Sequence, residues 1–316
     1  MSEKIEKKLA KILVIVGPTA VGKTALSIRL AKKYNGEIIN GDSMQVYAGL
    51  DIGTAKVTEE ETEGIPHHLL DIVPVDQDYT ASDFKRDARA AIASVLAKGK
   101  LPIVVGGSGL YIEGLLFDMQ FGGVAAEDPG YRKQLEAELE RTDAMHIWKR
   151  LQEKDPEAAE QIHPNNSRRV IRALEVIHFS GKRFSDQADK EADPHYDALL
   201  IGLDTDRSIL YERINRRVDL MVAAGLVEEA KALFDRQLPA KTQATRGIGY
   251  KEWFGYFDAE LTFEEAAELL KQNSRRYAKR QLTWFRNRMS GIHWFDLVQD
   301  AHELQKIEGL VESFLM

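Results

Sequence analysis

Apolar and polar residues occur in blocks along this chain, and the blocks predict strands followed by helices. Four short apolar runs, each ending at a glycine or a polar turn, are typical of strands buried on both faces of a parallel sheet. These runs cover residues 11–16, 37–40, 101–105 and 198–203. Strand–loop–helix units in this order predict an α/β fold with a doubly wound parallel sheet.

Two helices are predicted beside these strands. The first runs from Thr24 to about Lys33. The second begins at Thr80, three residues before Asp83, which is a variant of the capping box, and Gly99 marks its end. An apolar stripe at helical spacing supports the second helix and consists of Phe84, Ala88, Ala91, Ile92 and Val95.

The pattern changes after "FGGV" at residues 121–124. From 128 to 180 the sequence has helical segments separated by turns and no strand pattern. An apolar strand returns at 198–203, and the last third of the chain is again predicted to be helical. We therefore expect a core domain of residues 1–122 and 196–316 with a helical C-terminal part. An all-helical insertion domain of residues 123–195 interrupts it.

The composition excludes several classes of protein. The chain has no cysteine, so disulfides, zinc fingers and thiol catalysis are absent. It has no apolar run of eighteen residues, so we expect no membrane span. The apolar run at 11–16 leads directly into a glycine loop and is interpreted as a first strand rather than a signal peptide. We expect a cytoplasmic protein.

The segment "GPTAVGKT" fits the phosphate-binding pattern G-x-x-x-x-G-K-[ST]. Its glycines allow consecutive backbone N–H groups to form an anion nest at the start of a helix. Lys23 would pair with phosphate oxygens, and the hydroxyl of Thr24 would ligate Mg²⁺. The core is therefore predicted to be of the P-loop type. The phosphate-binding residues of this loop are Gly17, Pro18, Thr19, Ala20, Val21, Gly22, Lys23 and Thr24.

Features that usually accompany nucleotide hydrolysis are missing. The best candidate for a metal-holding strand, at 101–105, ends in Gly106-Gly107 where an aspartate would be expected. The chain also has no guanine-reading N-K-x-D tetrapeptide. The loop is suited to a diphosphate-bearing compound, although small-molecule kinases also vary this element.

Asp42 follows the second strand, at the same edge of the sheet as the loop, where ligands of such sheets bind. Its position allows three roles: general base, metal partner, or cap of the residues that follow it. Three further segments bear on the choice. They are "VGGSGLY" at 105–111, "IHPNNSRRVIRALE" at 162–175 and "SRRYAKRQLTWFRN" at 274–287.

Together these segments resemble the tRNA dimethylallyltransferases of bacteria. The resemblance runs in the family's order from the loop to about Trp294. It rests on "GPTA-x-GKT", "DS-x-x-x-Y", "DIGTAK", "ALEV", "GY" and "KRQ-x-TW". In that family, dimethylallyl diphosphate donates its prenyl group to N6 of the adenine at position 37, in tRNAs that read codons beginning with U.

The resemblance implies roles for individual residues. The loop would hold the prenyl diphosphate and then the leaving diphosphate, with Mg²⁺ at Thr24. Asp42 would accept the proton of the attacking amine, and Thr19 would touch the reacting groups. Arg217 matches a family arginine that clamps the diphosphate, and Lys23 would stabilise the leaving oxygens. Without the resemblance, Arg217 and its neighbour Arg213 would be interpreted as residues on the solvent-exposed face of a helix.

The resemblance also implies tRNA contacts. They fall at Asp42, Ser43, Met44, Gln45, Ser108, Arg132, Arg168, Arg169, Val170, Ile171, Arg172, Arg246, Gly247, Ile248, Gly249, Tyr250 and Lys251. The family usually has threonine at the position of Ser108, and we expect the serine hydroxyl to keep the contact. After "HPN" the family often has D-P-x-R, whereas this chain has "NSRR".

Positive charge is concentrated near the C-terminus although the net charge is −7. Residues 270–289 include seven cations and no acidic residue. Arg275 and Lys279, like Arg276 and Arg280, are one helical turn apart, so a helix would present a basic band to RNA phosphates. Tyr277, Trp284 and Phe285 lie between these cations. They have two interpretations: base stacking, or, as we favour for Trp284 and Phe285, the apolar face of the helix.

Four functions remain open at this point. Prenyl transfer to tRNA uses every motif. Adenylate isopentenyltransferase would share the loop and Asp42 but has less need of the insertion and the basic band. A P-loop small-molecule kinase would turn over ATP, and an RNA-binding module would have a vestigial loop. We expect tRNA, through its anticodon stem-loop, and dimethylallyl diphosphate as partners of a monomer.

Overall fold

A computed structural model describes residues 9–117, 129–187, 194–239 and 242–316. The chain divides into two compact units, Met1–Leu116 with Pro194–Met316, and Phe117–Asp193. The predicted domain boundary at 122/123 lies outside the described residues.

The first unit is built on a parallel sheet. Its strands are β1 Lys11–Val16, β2 Gly36–Asn40, β3 His67–His68, β4 Leu101–Gly106, β5 Asp197–Leu203 and β6 His293–Phe295. Their order is β3-β2-β4-β1-β5-β6, and every pairing is parallel. The doubly wound parallel sheet is therefore confirmed. Since β1 and β4 are central and neighbours, the loops after them lie side by side.

Twelve α-helices are found in the described ranges. In chain order they are α1 Lys23–Lys33, α2 Ala81–Ala97, α3 Gly109–Leu116, α4 Pro129–Arg141, α5 Ala144–Lys154, α6 Pro156–Gln161, α7 Ser167–Ser180, α8 Arg207–Ala223, α9 Leu226–Phe234, α10 Lys251–Phe257, α11 Phe263–Arg288 and α12 Glu303–Leu315. None of the helices in these ranges is long and apolar enough to cross a membrane.

The predicted start and end of α2 are confirmed. The side chain of Thr80 accepts a hydrogen bond from Asp83 N, and the Asp83 carboxylate accepts one from Thr80 N, which is a full capping box. Gly99 follows the helix at φ +67°, a conformation that favours glycine. Phe84, Ala88 and two further members of the predicted stripe are buried against the sheet.

The C-terminal third is helical as predicted, except for one short strand that the sequence did not predict. Strand β6 pairs with β5 there, with Gly202 opposite Trp294. The strand is three residues long and only partly buried, so it gives no periodic signal. It forms because β5 offers a free edge, and a tertiary contact of this kind leaves no local pattern in the sequence.

The second unit is helical throughout its described part, as predicted. Helices α4 to α7 enclose their own apolar core, which includes Ile147, Leu151, Val170 and Leu174. Each of these four side chains is completely buried. The amphipathic pattern of α7 therefore places Val170 and Leu174 inward and leaves Arg168 and Arg169 exposed.

Candidate active site

Residues 17–22 form a sharp turn between β1 and α1. Gly17 has φ +144°, and a Cβ atom on it would lie 2.3 Å from the carbonyl oxygen of Leu203. Gly22 is in the left-handed region at φ +95° and begins α1 without a side-chain cap. The first N–H groups of α1 therefore have no side-chain acceptor, and this end of the helix is suited to an anion.

Three cations surround this loop. Lys23 Nζ donates to the Pro18 carbonyl at 2.7 Å. Arg213 Nε donates to the Ala20 carbonyl at 2.8 Å, and Arg217 donates to Thr19 Oγ1 at 3.2 Å. None of the three has an ion pair with a carboxylate of the described residues. The loop therefore collects positive charge that a bound anion would neutralise.

The pKa values of two of these cations reflect this surplus of charge. Burial and, to a smaller extent, the nearby Arg217 guanidinium lower the pKa of Lys23 to about 8, against the opposing influence of Asp42. Burial also lowers the pKa of Arg217, against the raising influence of Asp42 and Glu61. A group whose charged form is destabilised in the free protein gains most from an anion.

Asp42 is held at the end of β2 by its neighbours. Its backbone N–H donates to Asn40 Oδ1 at 3.0 Å, and its own Oδ1 accepts from Met44 N at 2.9 Å. No helix follows Asp42 in the described stretch 41–66, so Asp42 is not a helix cap; its bond to Met44 N stabilises a turn and uses only one carboxylate oxygen. The second oxygen has no hydrogen bond with the described residues and is free to act as a base.

A cavity of about 980 Å³ joins the loop to Asp42. Twelve predicted site residues other than Thr19, Lys23 and Asp42 line it: Ala20, Gly22, Thr24, Ser43, Met44, Gln45, Arg217, Arg246, Gly247, Ile248, Lys251 and Arg280. Gly17, Pro18 and Val21 shape the loop but do not line the cavity. The predicted phosphate and base residues are thus brought together in one space.

Gln281 was given no role by the sequence beyond its place in "KRQ-x-TW". Its buried side chain accepts a hydrogen bond from Thr19 N at 3.1 Å and donates to the Gly107 carbonyl at 3.1 Å. One loop amide that was predicted to face the phosphate is therefore bound to Gln281 instead. Since this glutamine lies within a long helix, only the motif itself drew attention to it.

Tyr277 lies one turn before Gln281 on α11 and also lines the cavity. Burial raises the pKa of its hydroxyl, and the charge of Asp42 adds to the rise. Arg280 lies 5.6 Å from the Tyr277 ring centre. Of the three aromatic residues considered for stacking, Tyr277 faces the cavity, whereas Phe285 is completely buried as predicted.

Ser108 acts on the turn that follows Asp42. Its Oγ accepts a hydrogen bond from Ser43 N at 3.0 Å. The Gln45 amide donates to the carbonyl of Thr54 at 3.1 Å. The residues predicted to contact RNA at 42–45 are therefore fixed by the side chain of Ser108 and by the backbone of Thr54.

Three of the predicted RNA contacts need correction. The side chains of Val170, Ile171 and Tyr250 are 0 %, 4 % and 0 % exposed. Val170 and Ile171 belong to the core of the second unit, and Tyr250 packs under a loop of the first. Their side chains cannot reach RNA because each fills space within its own unit. Gly249 is buried too, and supports its loop rather than presenting a surface.

Two of the four second-unit arginines predicted to contact RNA converge on one acid. Arg132 forms a two-pronged ion pair with the buried Glu175, at 2.7 and 2.6 Å. Arg172 lies 3.6 Å from the same carboxylate. Arg168 and Arg169 are exposed. Glu175 therefore orients Arg132 and Arg172, while the other two arginines extend from the first turn of α7.

The basic band of α11 is partly neutralised. Ion pairs join Lys271 to Asp219, Arg275 to Glu268, Arg286 to Asp204 and Arg288 to Glu113. Arg276, Lys279 and Arg280 are exposed and have no ion pair within the described residues. These three cations, rather than all seven, are available to an external polyanion.

The donor set for Mg²⁺ is small. No group of three or more His, Cys, Asp or Glu side chains in the described residues is arranged to hold a metal ion. The exposed Thr24 side chain lines the cavity beside the loop. Mg²⁺ is commonly held by one or two protein oxygens together with phosphate oxygens and water, and Thr24 fits that arrangement.

Comparison with known proteins agrees with the resemblance found in the sequence motifs. The family model described as IPP transferase matches residues 45–288. A tRNA dimethylallyltransferase of Enterococcus faecalis is 55 % identical over 308 residues, covering 97 % of this chain and 98 % of that protein. The Bacillus subtilis tRNA dimethylallyltransferase is 52 % identical over 299 residues, covering 94 % of each chain.

Solved structures are similar over most of the chain. The tRNA isopentenylpyrophosphate transferase of Bacillus halodurans has a TM-score of 0.73 at 46 % identity, with 96 % of each chain covered. A eukaryotic dimethylallyltransferase acting on tRNA has a TM-score of 0.80 at 34 % identity, covering 91 % of this chain and 74 % of that one. The phosphate loop, the aspartate and the near-full-length similarity lead to one conclusion: this chain belongs to the IPP transferase family, a family of tRNA-modifying transferases.

Proposed function

We propose that this protein transfers the dimethylallyl group of dimethylallyl diphosphate to N6 of adenine 37 in tRNAs that read codons beginning with U. Diphosphate is released. The observation that carries the proposal is the free oxygen of Asp42 in the same cavity as Lys23 and Arg217. A base and an anion site in one space are what this displacement requires.

The departure of diphosphate is assigned to the loop and its cations. As the bond from the allylic carbon to the diphosphate oxygen breaks, its electron pair stays on that oxygen. Lys23 and Arg217 stabilise this growing negative charge more than they stabilise the bound substrate, which lowers the barrier. Thr24 is the residue that would hold Mg²⁺ here, and the ion would supply further charge neutralisation.

The role assigned to Asp42 is to accept a proton from the adenine amine. The exocyclic amine of adenine is a weak nucleophile, and its nitrogen becomes positively charged as it bonds to the allylic carbon. The free oxygen of Asp42 accepts the proton that this nitrogen loses. The hydrogen bond from Met44 N to the other oxygen fixes the direction of the carboxylate.

An apolar part of the cavity is suited to the prenyl chain. Ile214 and Val218 of α8, with Leu270 of α11, are among the residues that line it. Such side chains exclude water from the cation-like carbon, and water would otherwise capture it. The cavity therefore has one region for each part of the donor substrate.

The RNA partner is proposed to be the anticodon stem-loop. Asp42 lines a cavity shared with the phosphate loop, so we propose that adenine 37 leaves its stack to reach it. The exposed Arg276, Lys279 and Arg280 supply phosphate contacts that do not depend on sequence. We propose that the protein carries out this transfer in the cytoplasm as a monomer.

The position of the product tests the proposal. An anticodon stem-loop would be incubated with the protein, Mg²⁺ and dimethylallyl diphosphate, digested to nucleosides and analysed by mass spectrometry. We expect one prenyl group on N6 of adenosine 37, and none on a stem-loop with guanosine at that position. Product at another adenosine or at a sugar hydroxyl would contradict the assignment.

The affinity for dimethylallyl diphosphate is expected to depend on pH through Lys23. Below pH 8 the free protein already carries this proton, because the pKa is about 8. Above pH 8 the free amine is mostly neutral, and the bound diphosphate restores its proton. Binding is then accompanied by uptake of a proton. Kd therefore increases with pH, and the increase approaches about tenfold per pH unit. Calorimetry between pH 7 and 9.5, without RNA, measures this.

The Lys23→Met variant is the control for this pH dependence. Its Kd is expected to be higher than that of the unaltered protein at every pH, and to change little between pH 7 and 9.5. A level profile for the unaltered protein would mean that Lys23 is not the titrating group.

The ion pairs of α11 predict unequal roles for its arginines. Arg280→Ala should lower the affinity for the stem-loop about tenfold and reduce the salt dependence of log K by about one unit, because it loses one phosphate contact. Arg275→Ala removes an arginine that is already paired with Glu268 and hydrogen-bonded to Asn215. Its effect should be less than about threefold. Fluorescence anisotropy at several salt concentrations measures both, and equal effects would contradict the division.

A further inference from the structure

The motif "DIGTAK" at residues 51–56 has no part in the transfer chemistry, yet its backbone is hydrogen-bonded to one carboxylate. Glu229 of α9 accepts hydrogen bonds from Asp51 N and Ile52 N with Oε2, and from Gly53 N with Oε1, each at 2.9 Å. Three consecutive amides therefore form an anion nest. The chain fills this nest with its own side chain.

The same carboxylate also holds a second loop. Glu229 Oε1 accepts the hydroxyl of Tyr250 at 2.7 Å. Burial raises the pKa of Tyr250, and the hydrogen bond to Glu229 raises it further. The hydroxyl therefore keeps its proton and remains a donor. Tyr250 lies in the segment 246–251, four of whose residues line the reaction cavity.

Close packing joins the two loops where these hydrogen bonds meet. A Cβ atom on Gly53 would lie 2.5 Å from the Tyr250 ring. Gly249 has φ +108°, and a Cβ on it would lie 2.9 Å from the Gly53 carbonyl oxygen. Larger residues would push the loops apart, so both positions depend on glycine.

The turn after Asp42 is joined to the same assembly. Gln45 donates its amide to the carbonyls of Thr54 and Ala55, at 3.1 and 3.3 Å. The Met44 side chain packs on Gly247, where an added Cβ would lie 2.4 Å from its terminal methyl. We call residues 42–45, 51–55 and 246–251 together the loop wall.

Lys56 fixes the far end of the same motif. Its Nζ is almost fully buried and forms ion pairs with Asp51 and Asp71, both at 2.5 Å. It also donates to the Tyr47 carbonyl at 2.9 Å. The backbone of 51–56 is thereby held from both sides, by Glu229 and by Lys56. Of the two, only Glu229 also reaches the 246–251 segment.

We propose that Glu229 is a positioning residue for the RNA substrate, which it serves by fixing the loop wall. The inference rests on the proposed function, because the wall carries most of the RNA contacts assigned to the first unit. Glu229 makes no hydrogen bond to the phosphate loop within the described residues. Its loss therefore affects RNA binding and leaves the binding of the diphosphate donor intact.

Steady-state kinetics of Glu229→Gln test this role. A glutamine has nearly the same shape, but its NH2 group is a donor and cannot accept the hydrogen bonds that now go to one of the two carboxylate oxygens. We expect KM for the stem-loop to rise about tenfold, with KM for dimethylallyl diphosphate within about twofold of the original value. Glu228→Gln is the matched control, because it removes the same charge from an exposed site one residue away.

A purely structural role would give a different result. It would lower the fraction of active protein and the melting temperature, and leave both KM values unchanged. That outcome would overturn the inference, and so would an equal rise in both KM values. Absence of transfer by the unaltered protein would instead refute the proposed function itself.

A second variant covers the case in which Glu229→Gln does not fold. Gly53→Ala leaves the carboxylate in place and separates the loops from the other side, by contact with the Tyr250 ring. The same selective rise in KM for RNA is expected. An unchanged KM for RNA in folded Gly53→Ala protein would contradict the proposal.

Discussion

Replacing Asp42 by asparagine is expected to lower kcat by about 10²–10⁴-fold, the range associated with loss of a general base. An asparagine side chain keeps an oxygen for the hydrogen bond from Met44 N, which measures 2.9 Å in the protein. The turn at 42–45 should therefore survive, and RNA affinity should remain within about twofold. Single-turnover transfer with saturating stem-loop measures the chemical step.

Two variants separate the base from the turn-stabilising hydrogen bond. Asp42→Ala removes both roles, so it should lose the same activity and in addition bind RNA more weakly. Asp76→Asn, at an exposed position before α2, is the control for charge alone and should behave like the unaltered protein. Near-normal kcat in Asp42→Asn would remove Asp42 from the mechanism.

Replacing Lys23 by methionine is expected to have the other large effect. Lys23 donates to the Pro18 carbonyl at 2.7 Å and directs its charge into the loop. Each group that stabilises a leaving anion is worth about 10²–10³-fold in rate, and Lys23 carries a full charge. We expect kcat/KM for dimethylallyl diphosphate to fall by about 10³-fold, measured with excess stem-loop.

Lys32→Met is the matched control for Lys23. Lys32 lies on the same helix, α1, but is exposed and pairs with Glu63. Such surface pairs contribute little, so kcat/KM should change by less than about twofold. A comparable loss in the two variants would mean that the effect comes from α1 as a whole and not from the loop.

The sheet could be predicted because its central strands are apolar runs bounded by glycines. Strand β1 and strand β4 are buried along nearly their whole length, and burial on both faces leaves a continuous apolar pattern. Strands β3 and β6 have two and three residues. Pairing with a neighbour creates them, and the local sequence carries no sign of it.

The site residues that belong to a motif of known chemistry could be predicted from the sequence. Lys23 and Asp42 follow strands that end at one edge of a sheet, so the topology alone brings them together. Gln281 and Glu229 lie within helices, α11 and α9, where a polar residue is normally solvated. Their importance comes from hydrogen bonds to backbone groups more than 170 positions away along the chain.

The basic band shows a different limit of sequence reasoning. No acidic residue is found at 270–289, and the charge pattern predicted a basic band in which Arg275, Arg276, Lys279 and Arg280 contact RNA. The partners of Lys271 and Arg286 are Asp219 and Asp204, which come from α8 and from the end of β5. Charge neutralisation across a tertiary contact cannot be read from either segment alone.

Transfer of labelled prenyl groups from dimethylallyl diphosphate to competing acceptors tests the central claim most directly. The protein would be supplied with Mg²⁺ and, in parallel, with an anticodon stem-loop containing adenosine 37, with free AMP, or with ATP and no RNA. We predict label in the stem-loop alone. Label in AMP would identify a free-nucleotide prenyltransferase. Consumption of ATP with no labelled product would make the loop a nucleotide site and contradict the account.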